Sequence, residues 1–268
     1  MNIATGTAIV PRQSSAFSAS LTSRLVALAI IAYALYASTQ LGFSWPRFVA
    51  GLEHGARFLS RMFPPDLSKG DILWGGIMET LQIAVLASLA GILLSLPIGL
   101  LGARNLMPGW VSWTARGFVS ACRALHPVIV AILFVKAVGF GALAGILALV
   151  VASIGFIGKL FSEAIEEISP KQVEAIRATG ASFMNVVIFG VLPQVMSRFV
   201  GFSTYQLDSN LRNSTMVGIV GAGGVGGVLF SAFQRFDYGF VFTILFTIIS
   251  IIIASELLVN FVKKVFHV

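Results

Sequence analysis

Long apolar runs separated by short polar stretches set the pattern of this chain. The runs are Leu25 to Gly42, Leu73 to Ala103, Phe118 to Gly139, Leu143 to Phe161, about Val186 to Arg212, and Phe240 to Val262. Each approaches or exceeds the ~20 residues that carry a helix across the hydrocarbon core of a bilayer. Pro97 sits inside the second run, where a kink is expected. The third run carries Arg123, His126 and Pro127, and the fifth contains Pro193. Residues 44–72 break the pattern with Arg47, Glu53, His54, Arg57, Arg61, Asp66, Lys69 and Asp71. Leu52, Ala56, Leu59 and Phe63 recur there at helical spacing, which predicts an amphipathic helix lying in the membrane interface and ended by Pro64 and Pro65.

Composition supports a lipid-facing surface. Hydrophobic residues make up 57% of the 268 positions and charged residues 11%, with a mean hydropathy of +0.91. A soluble domain carries about 25% charged residues, so this chain cannot cover a globular surface with charge. The net charge of +7 is read as basic residues flanking membrane spans, and no nucleic-acid partner is expected. A single cysteine, Cys122, allows no intrachain disulfide. Three scattered histidines and that cysteine make no metal site. Residues 1–23 are Ser/Thr/Ala-rich and read as a disordered cytoplasmic tail. Arg24 ahead of an apolar core, with Ala32-Tyr33-Ala34 as a cleavage site, offers a signal-peptide alternative. The length of the run reads instead as an uncleaved helix.

The most informative stretch is polar: residues 162–185, SEAIEEISPKQVEAIRATGASFMN. Residues 163–178 predict a short helix, with Ser169 as N-cap, Pro170 at the first helical position and Lys171 following. Gly180 supplies a sharp turn. The result is a small knob that carries Glu174 and has little bulk at Ala175, Ala178 and Ala181. Glu174-Ala175-Ile176, then Gly180, then Leu192-Pro193 resembles the E-A-A-x3-G-x9-I-x-L-P signature of permease subunits of bacterial ABC importers. Both spacings agree. Two positions depart: Ile176 stands for the second alanine and Gly190 for the isoleucine.

Further stretches resemble one branch of that family, the phosphonate importer permeases. They are Arg61-Met62-Phe63-Pro64-Pro65-Asp66, Glu79-Thr80-Leu81-Gln82, Ala103-Arg104-Asn105, and Arg212-Asn213-Ser214-Thr215 on through Gly221-Ala222-Gly223-Gly224-Val225-Gly226. The resemblance spans roughly residues 60–262. It implies uptake of a phosphonate, phosphite, hypophosphite or phosphate. It also implies that segment 163–184 docks on a cytosolic ATPase through Glu163, Lys171, Glu174, Ala175, Arg177, Gly180, Leu192 and Pro193.

Residues 218–227, GIVGAGGVGG, raise a different possibility. Gly221, Gly223 and Gly226 fit the dinucleotide fingerprint G-x-G-x-x-G, with Met216 to Val220 as a possible strand and Val228 to Phe233 opening a helix. That reading needs an acidic residue about 20 positions on, and the sequence there is membrane-like. Two readings of the glycines stay open. They let helices pack closely, or they break a helix beside the translocation path, where exposed N–H groups form an anion-binding nest. Charges within runs mark other path candidates: Arg123, Asp208 and Arg212, with Ser214 beside them. Asp208 and Arg212 are four apart and also read as a mutually neutralising pair. Arg123 and His126 read equally as structural groups.

The expected fold is therefore all-α, a polytopic membrane bundle of about six spans like a type I ABC importer permease. Residues 24–268 are expected to form a single domain in a bacterial inner membrane, with both termini cytoplasmic. Gly158-Lys159 lacks the rest of a P-loop, so no catalytic residue is assigned. ATP and magnesium are expected in the partner ATPase, and no cofactor in this chain. The expected partners are a second copy of the chain, two cytosolic ATPase subunits, an extracytoplasmic binding protein and the bilayer. Alternatives are a permease for another small ligand such as an amino acid, an ATP-independent secondary transporter or channel, and a membrane scaffold without transport.

Overall fold

The computed structural model describes residues 21–42 and 44–266. The expected tail falls mostly outside them; its last residues, Leu21 to Ser23, already belong to a helix. Two compact units divide at Ser60 and Arg61. The first holds α1 (Leu21–Gln40) and α2 (Trp45–Ser60), neither of which buries a residue. α1 matches the first apolar run. α2 is the expected amphipathic helix, and it ends at Ser60, before Pro64 and Pro65 are reached.

The second unit is a helical bundle made of α3 (Gly70–Gly102), α4 (Gly109–Ala124), α5 (Pro127–Val138), α6 (Ala142–Glu166), α7 (Pro170–Ala178), α8 (Phe183–Val186), a π turn over Val187–Val191, α9 (Leu192–Ile219), α10 (Val225–Gln234) and α11 (Tyr238–Phe266). Among the described residues, five helical stretches are long and apolar enough to cross a membrane, or six if the bent pair α4–α5 counts as one span. At 33 residues α3 is about 50 Å long, and it continues through Pro97 to Gly102.

Three expected elements are corrected. The run Phe118 to Gly139 is not one straight span: α4 and α5 meet at 90°. Pro127 disfavours helical backbone in the residue before it, and Leu125 and His126 are extended. α5 then starts afresh with proline in its first turn and the Val128 N–H bonded to His126 Nδ1 at 3.4 Å. The fifth run starts earlier and ends later than expected, from Phe183 to Ile219. Residues 216–219 are its last helical turn, and no strand forms there. Finally, α6 runs on to Glu166, so Glu163 belongs to α6 and the helix expected over 163–178 is confined to 170–178.

Inside a bilayer, apolar side chains gain little by leaving lipid, and helices associate through close approach of small residues. α3 and α6 meet in this way. A Cβ on Gly91 would collide with Ser153, and one on Gly99 would lie 2.6 Å from Phe161. Two apolar clusters result. One gathers Ile83, Val130, Leu149, Val217 and Ala222. The other gathers Phe161, Ile165, Val173, Val186, Val195 and Phe199.

Between them along the helices lies a buried polar knot. Asn210 Nδ2 donates to Ser88 Oγ and Ser153 Oγ, each at 2.9 Å. Gln206 Nε2 donates to Ser153 Oγ at 3.0 Å and to Asn210 Oδ1 at 2.9 Å. The knot ties α3, α6 and α9 at one level. Asn210→Leu should lower stability by about 1–2 kcal/mol, the scale of an interhelical hydrogen bond in a membrane. The check is the thermal unfolding midpoint in detergent. Ser250→Ala, which removes only an exposed bond to Phe246 O on the same helix, should leave that midpoint in place.

Candidate functional site

The chemistry of the bundle gathers at its two ends. At one end α6, α7, α8 and the π turn form the expected knob. Pro170 begins α7, and Ser169 is its N-cap by backbone, without a side-chain cap bond. The Ser169 N–H donates instead to Gln194 Oε1 at 3.2 Å, while Gln194 Nε2 donates to Gly190 O at 2.6 Å. Gln194 thus bridges the start of α7 to the π turn. The turn sits just ahead of Pro193, which lacks the N–H that would continue an α-helical ladder. Sequence reading missed Gln194, because a lone glutamine in a membrane run carries no local signature.

α7 is held by its inner face. Val173 is buried and Ile176 packs on the same cluster. Lys171, Glu174, Ala175 and Arg177 are exposed, and the three charges among them form no ion pair among the described residues. Gly180 has φ +79, the left-handed turn expected of it. Leu192 and Pro193 open α9. Glu163 pairs with Lys159 at 2.6 Å along α6, apart from this exposed face. Neighbouring contacts stiffen the base: Arg116–Glu166 at 2.7 Å, Arg198–Glu167 at 2.5 Å, and Asn105 Nδ2 to Ile165 O at 2.8 Å.

The two departures from the expected signature touch each other. A Cβ on Gly190 would lie 3.2 Å from Ile176 Cδ1 and 3.7 Å from Val173 Cα. A large residue on α7 and an absent side chain on the π turn therefore fill one space.

At the opposite end, Gly221, Gly223 and Gly224 all have positive φ and form the break between α9 and α10. Gly141 N–H donates to Gly221 O at 3.0 Å, fastening the α5–α6 loop to the break. The nest expected here is already filled from α3. Gly224 N–H donates to Glu79 Oε2 at 2.8 Å, and Val225 N–H to Thr80 Oγ1 at 2.7 Å. Side chains at Gly223 or Gly224 would meet Glu79 and Thr80 at 2.5 and 2.6 Å. Gly226 serves the other reading, because its Cβ would collide with Thr215 O where α9 and α10 pack.

A cavity of about 530 Å³ opens beside the break, lined by Lys69, Glu79, Phe140, Ser231, Arg235 and Asp237 together with the glycines. Lys69 pairs with Asp237 and with Asp66 at 3.6 Å. The hydrogen bond to Asp237 holds the Lys69 ammonium above its usual range. Hydrogen bonds from Ser68 hold the Asp66 carboxyl below its own. Asp66 N–H also donates to Gly239 O at 3.2 Å, and Thr243 Oγ1 to Asp66 O at 2.8 Å, which pins this loop to α11.

The other path candidates lie elsewhere. Asp208 pairs with Arg212 at 2.5 Å and accepts from Ser255 Oγ at 3.0 Å. Ser214 is buried and donates to Leu211 O at 2.7 Å on its own helix. Arg123 is exposed on α4, with its stem against Gly155 of α6. His126 is the cap of α5.

Comparison with known proteins accords with this architecture. Residues 95–267 match the family described as binding-protein-dependent transport system inner membrane component. The chain belongs to this family. It is 40% identical over 76% of its length to the phosphate-import permease protein PhnE of Mycolicibacterium smegmatis, of whose length it spans 39%. It is 36% identical over 81% of its length to the phosphite transport system permease protein PtxC of Stutzerimonas stutzeri, of which it spans 79%. Among solved structures, the inward-facing MetNI methionine ABC transporter superposes with a TM-score of 0.64 at 26% identity, over 74% of this chain and 97% of that one. The protein is thus a multi-pass transport component of the membrane.

The compensation between Ile176 and Gly190 is measurable in this permease. Gly190→Ile should destabilise it by about 1–3 kcal/mol through overpacking. Adding Ile176→Ala should recover at least half of that loss, and a double-mutant cycle on thermal midpoints reads the coupling.

Proposed function

We propose that this chain is the membrane subunit of an ATP-driven importer for a phosphonate, phosphite or related phosphorus oxyanion. The observation that carries the reading is the exposed face of α7, whose Lys171, Glu174 and Arg177 lack partners among the described residues while Gln194 fastens the helix to α9. A helix anchored by its inner face that displays exposed charge without ion-pair partners suits docking of a second protein. On this reading the partner is a cytosolic ATPase, and ATP and magnesium are bound there. The end with α7 is cytoplasmic, as are both termini. The glycine end faces an extracytoplasmic binding protein.

Two copies of the chain would enclose the path and two ATPase subunits would drive it. Closure of the ATPases moves α7, and Gln194 passes that motion to α9. Because α9 runs unbroken from Leu192 to the glycine break, displacement at one end reaches the other. ATP supplies the drive by binding the two states of the assembly unequally. The names of the phosphate and phosphite relatives support the oxyanion. The likeness to the methionine transporter supports the second reading, an amino acid.

The test is ATP hydrolysis in liposomes holding the chain, its ATPase and its binding protein. Stimulation by alkylphosphonate, phosphite or phosphate, and none by methionine, is expected. Glu174→Arg should abolish stimulation with the chain still inserted and folded. Stimulation by methionine alone would overturn the substrate, and unimpaired Glu174→Arg would overturn the docking role of α7.

A further inference from the structure

The cavity at the glycine end contains an unusual distribution of charge. Four charged side chains line it: Lys69, Glu79, Arg235 and Asp237. Lys69 and Asp237 neutralise each other. Arg235 is exposed and has no carboxylate partner among the described residues. Glu79 has no cationic partner among them, and its carboxylate rests on the Gly224 N–H at 2.8 Å. Its other oxygen lies against Gly223, 2.5 Å from where a Cβ would stand. An anion without a cation and a cation without an anion therefore border the same space. Four separate elements converge there: α3, the α5–α6 loop, the α9–α10 break, and the turn from α10 to α11.

We propose that this cavity receives the transported oxyanion and that Glu79 occupies the anion position while the cavity is empty. The inference rests on the oxyanion reading above. An incoming tetrahedral phosphorus oxyanion takes the Gly224 N–H from Glu79 and pairs with Arg235, and Glu79 swings into the cavity. The exchange makes and breaks hydrogen bonds and ion pairs only. Its consequence is a weak site. The four lining charges already cancel and Asp66 behind Lys69 adds a further negative charge, so each bound anion brings uncompensated negative charge beside the displaced carboxylate. Weakness suits a station on a transport path, because a ligand must bind well enough to enter and loosely enough to leave. Glu79 is then the residue that sets affinity. Thr80, which holds Val225 N–H, keeps α10 anchored during the exchange.

The experiment measures binding of sodium phosphite and sodium methylphosphonate to the purified full chain in detergent by calorimetry, with sodium sulfate for comparison. Glu79→Gln keeps an acceptor for Gly224 N–H and removes the charge. It should bind phosphite about tenfold tighter or more, as loss of a neighbouring like charge predicts. Arg235→Gln should weaken binding in the native chain and cancel the gain in the Glu79→Gln background. In the assembled transporter Glu79→Gln should lower KM for loaded binding protein and kcat together. A residue that merely capped α10 would lower the thermal midpoint and leave affinity flat or reduced, and that result overturns the proposal. So does tighter binding that survives Arg235→Gln. Should Glu79→Gln fail to fold, Arg235→Gln alone decides, since unchanged phosphite affinity there refutes the site. If phosphite drives ATP hydrolysis in the assembly while neither chain variant alters affinity, the site fails and the importer reading stands. If only methionine drives hydrolysis, both fall.

Discussion

A backbone amide or carbonyl without a partner is most costly where no water can reach it, so a chain in lipid can interrupt a helix only where its own side chains seal the break. At three of the breaks in this bundle a side chain bonds the irregular backbone. At the right-angle elbow between α4 and α5, His126 accepts the Val128 N–H. At the π turn, Gln194 takes up the Gly190 carbonyl and reaches on to Ser169. At the glycine break, Glu79 and Thr80 of α3 accept the N–H groups of Gly224, the N-cap of α10, and of Val225, its first residue. Polar side chains of the spans thus serve irregular backbone at these breaks, and a second set, Ser88, Ser153, Gln206 and Asn210, ties regular helices together.

The same constraint governs packing. With little hydrophobic drive between helices in lipid, the contacts of α3 with α6 rely on glycine and serine stripes, and the tie to α9 relies on the Asn210 and Gln206 hydrogen bonds. α9 consequently has three fixed points along its length: the π turn, the polar knot and the glycine break. The Ser169 N–H to Gln194 bond joins the start of α7 to the first of these points. This makes α9 the natural lever between the ends.

Much of this was legible in sequence. Six apolar runs account for the spans, and the Glu174–Gly180–Leu192-Pro193 spacing located the knob. Hydropathy is blind to direction, so the run Phe118 to Gly139 reads as one span and does not show the elbow at His126. The two departures, Ile176 and Gly190, looked like erosion of a signature when taken singly. In space they are one exchange of volume. Gln194 and the Glu79–Gly224 bond escaped for different reasons. The first has no local pattern. The second joins residues 145 positions apart, beyond any periodicity. The G-x-G-x-x-G match shows the opposite failure: a local pattern with a familiar form, produced here by a turn and a close helix crossing.

The two ends differ in how they handle charge, and the difference matches what each is proposed to bind. α7 displays Lys171, Glu174 and Arg177 without partners, so a docked protein gains ion pairs that the free chain does not offer itself. At the glycine end the reverse holds for most of the cavity: Lys69 already has Asp237 and Asp66, and the Gly224 N–H already has Glu79. A visitor must displace what is there. Exposed charge without a partner steers the approach of a complementary surface, whereas a group already bonded must be displaced before a ligand can take its place. An importer needs the first where it meets its motor and the second where its cargo passes.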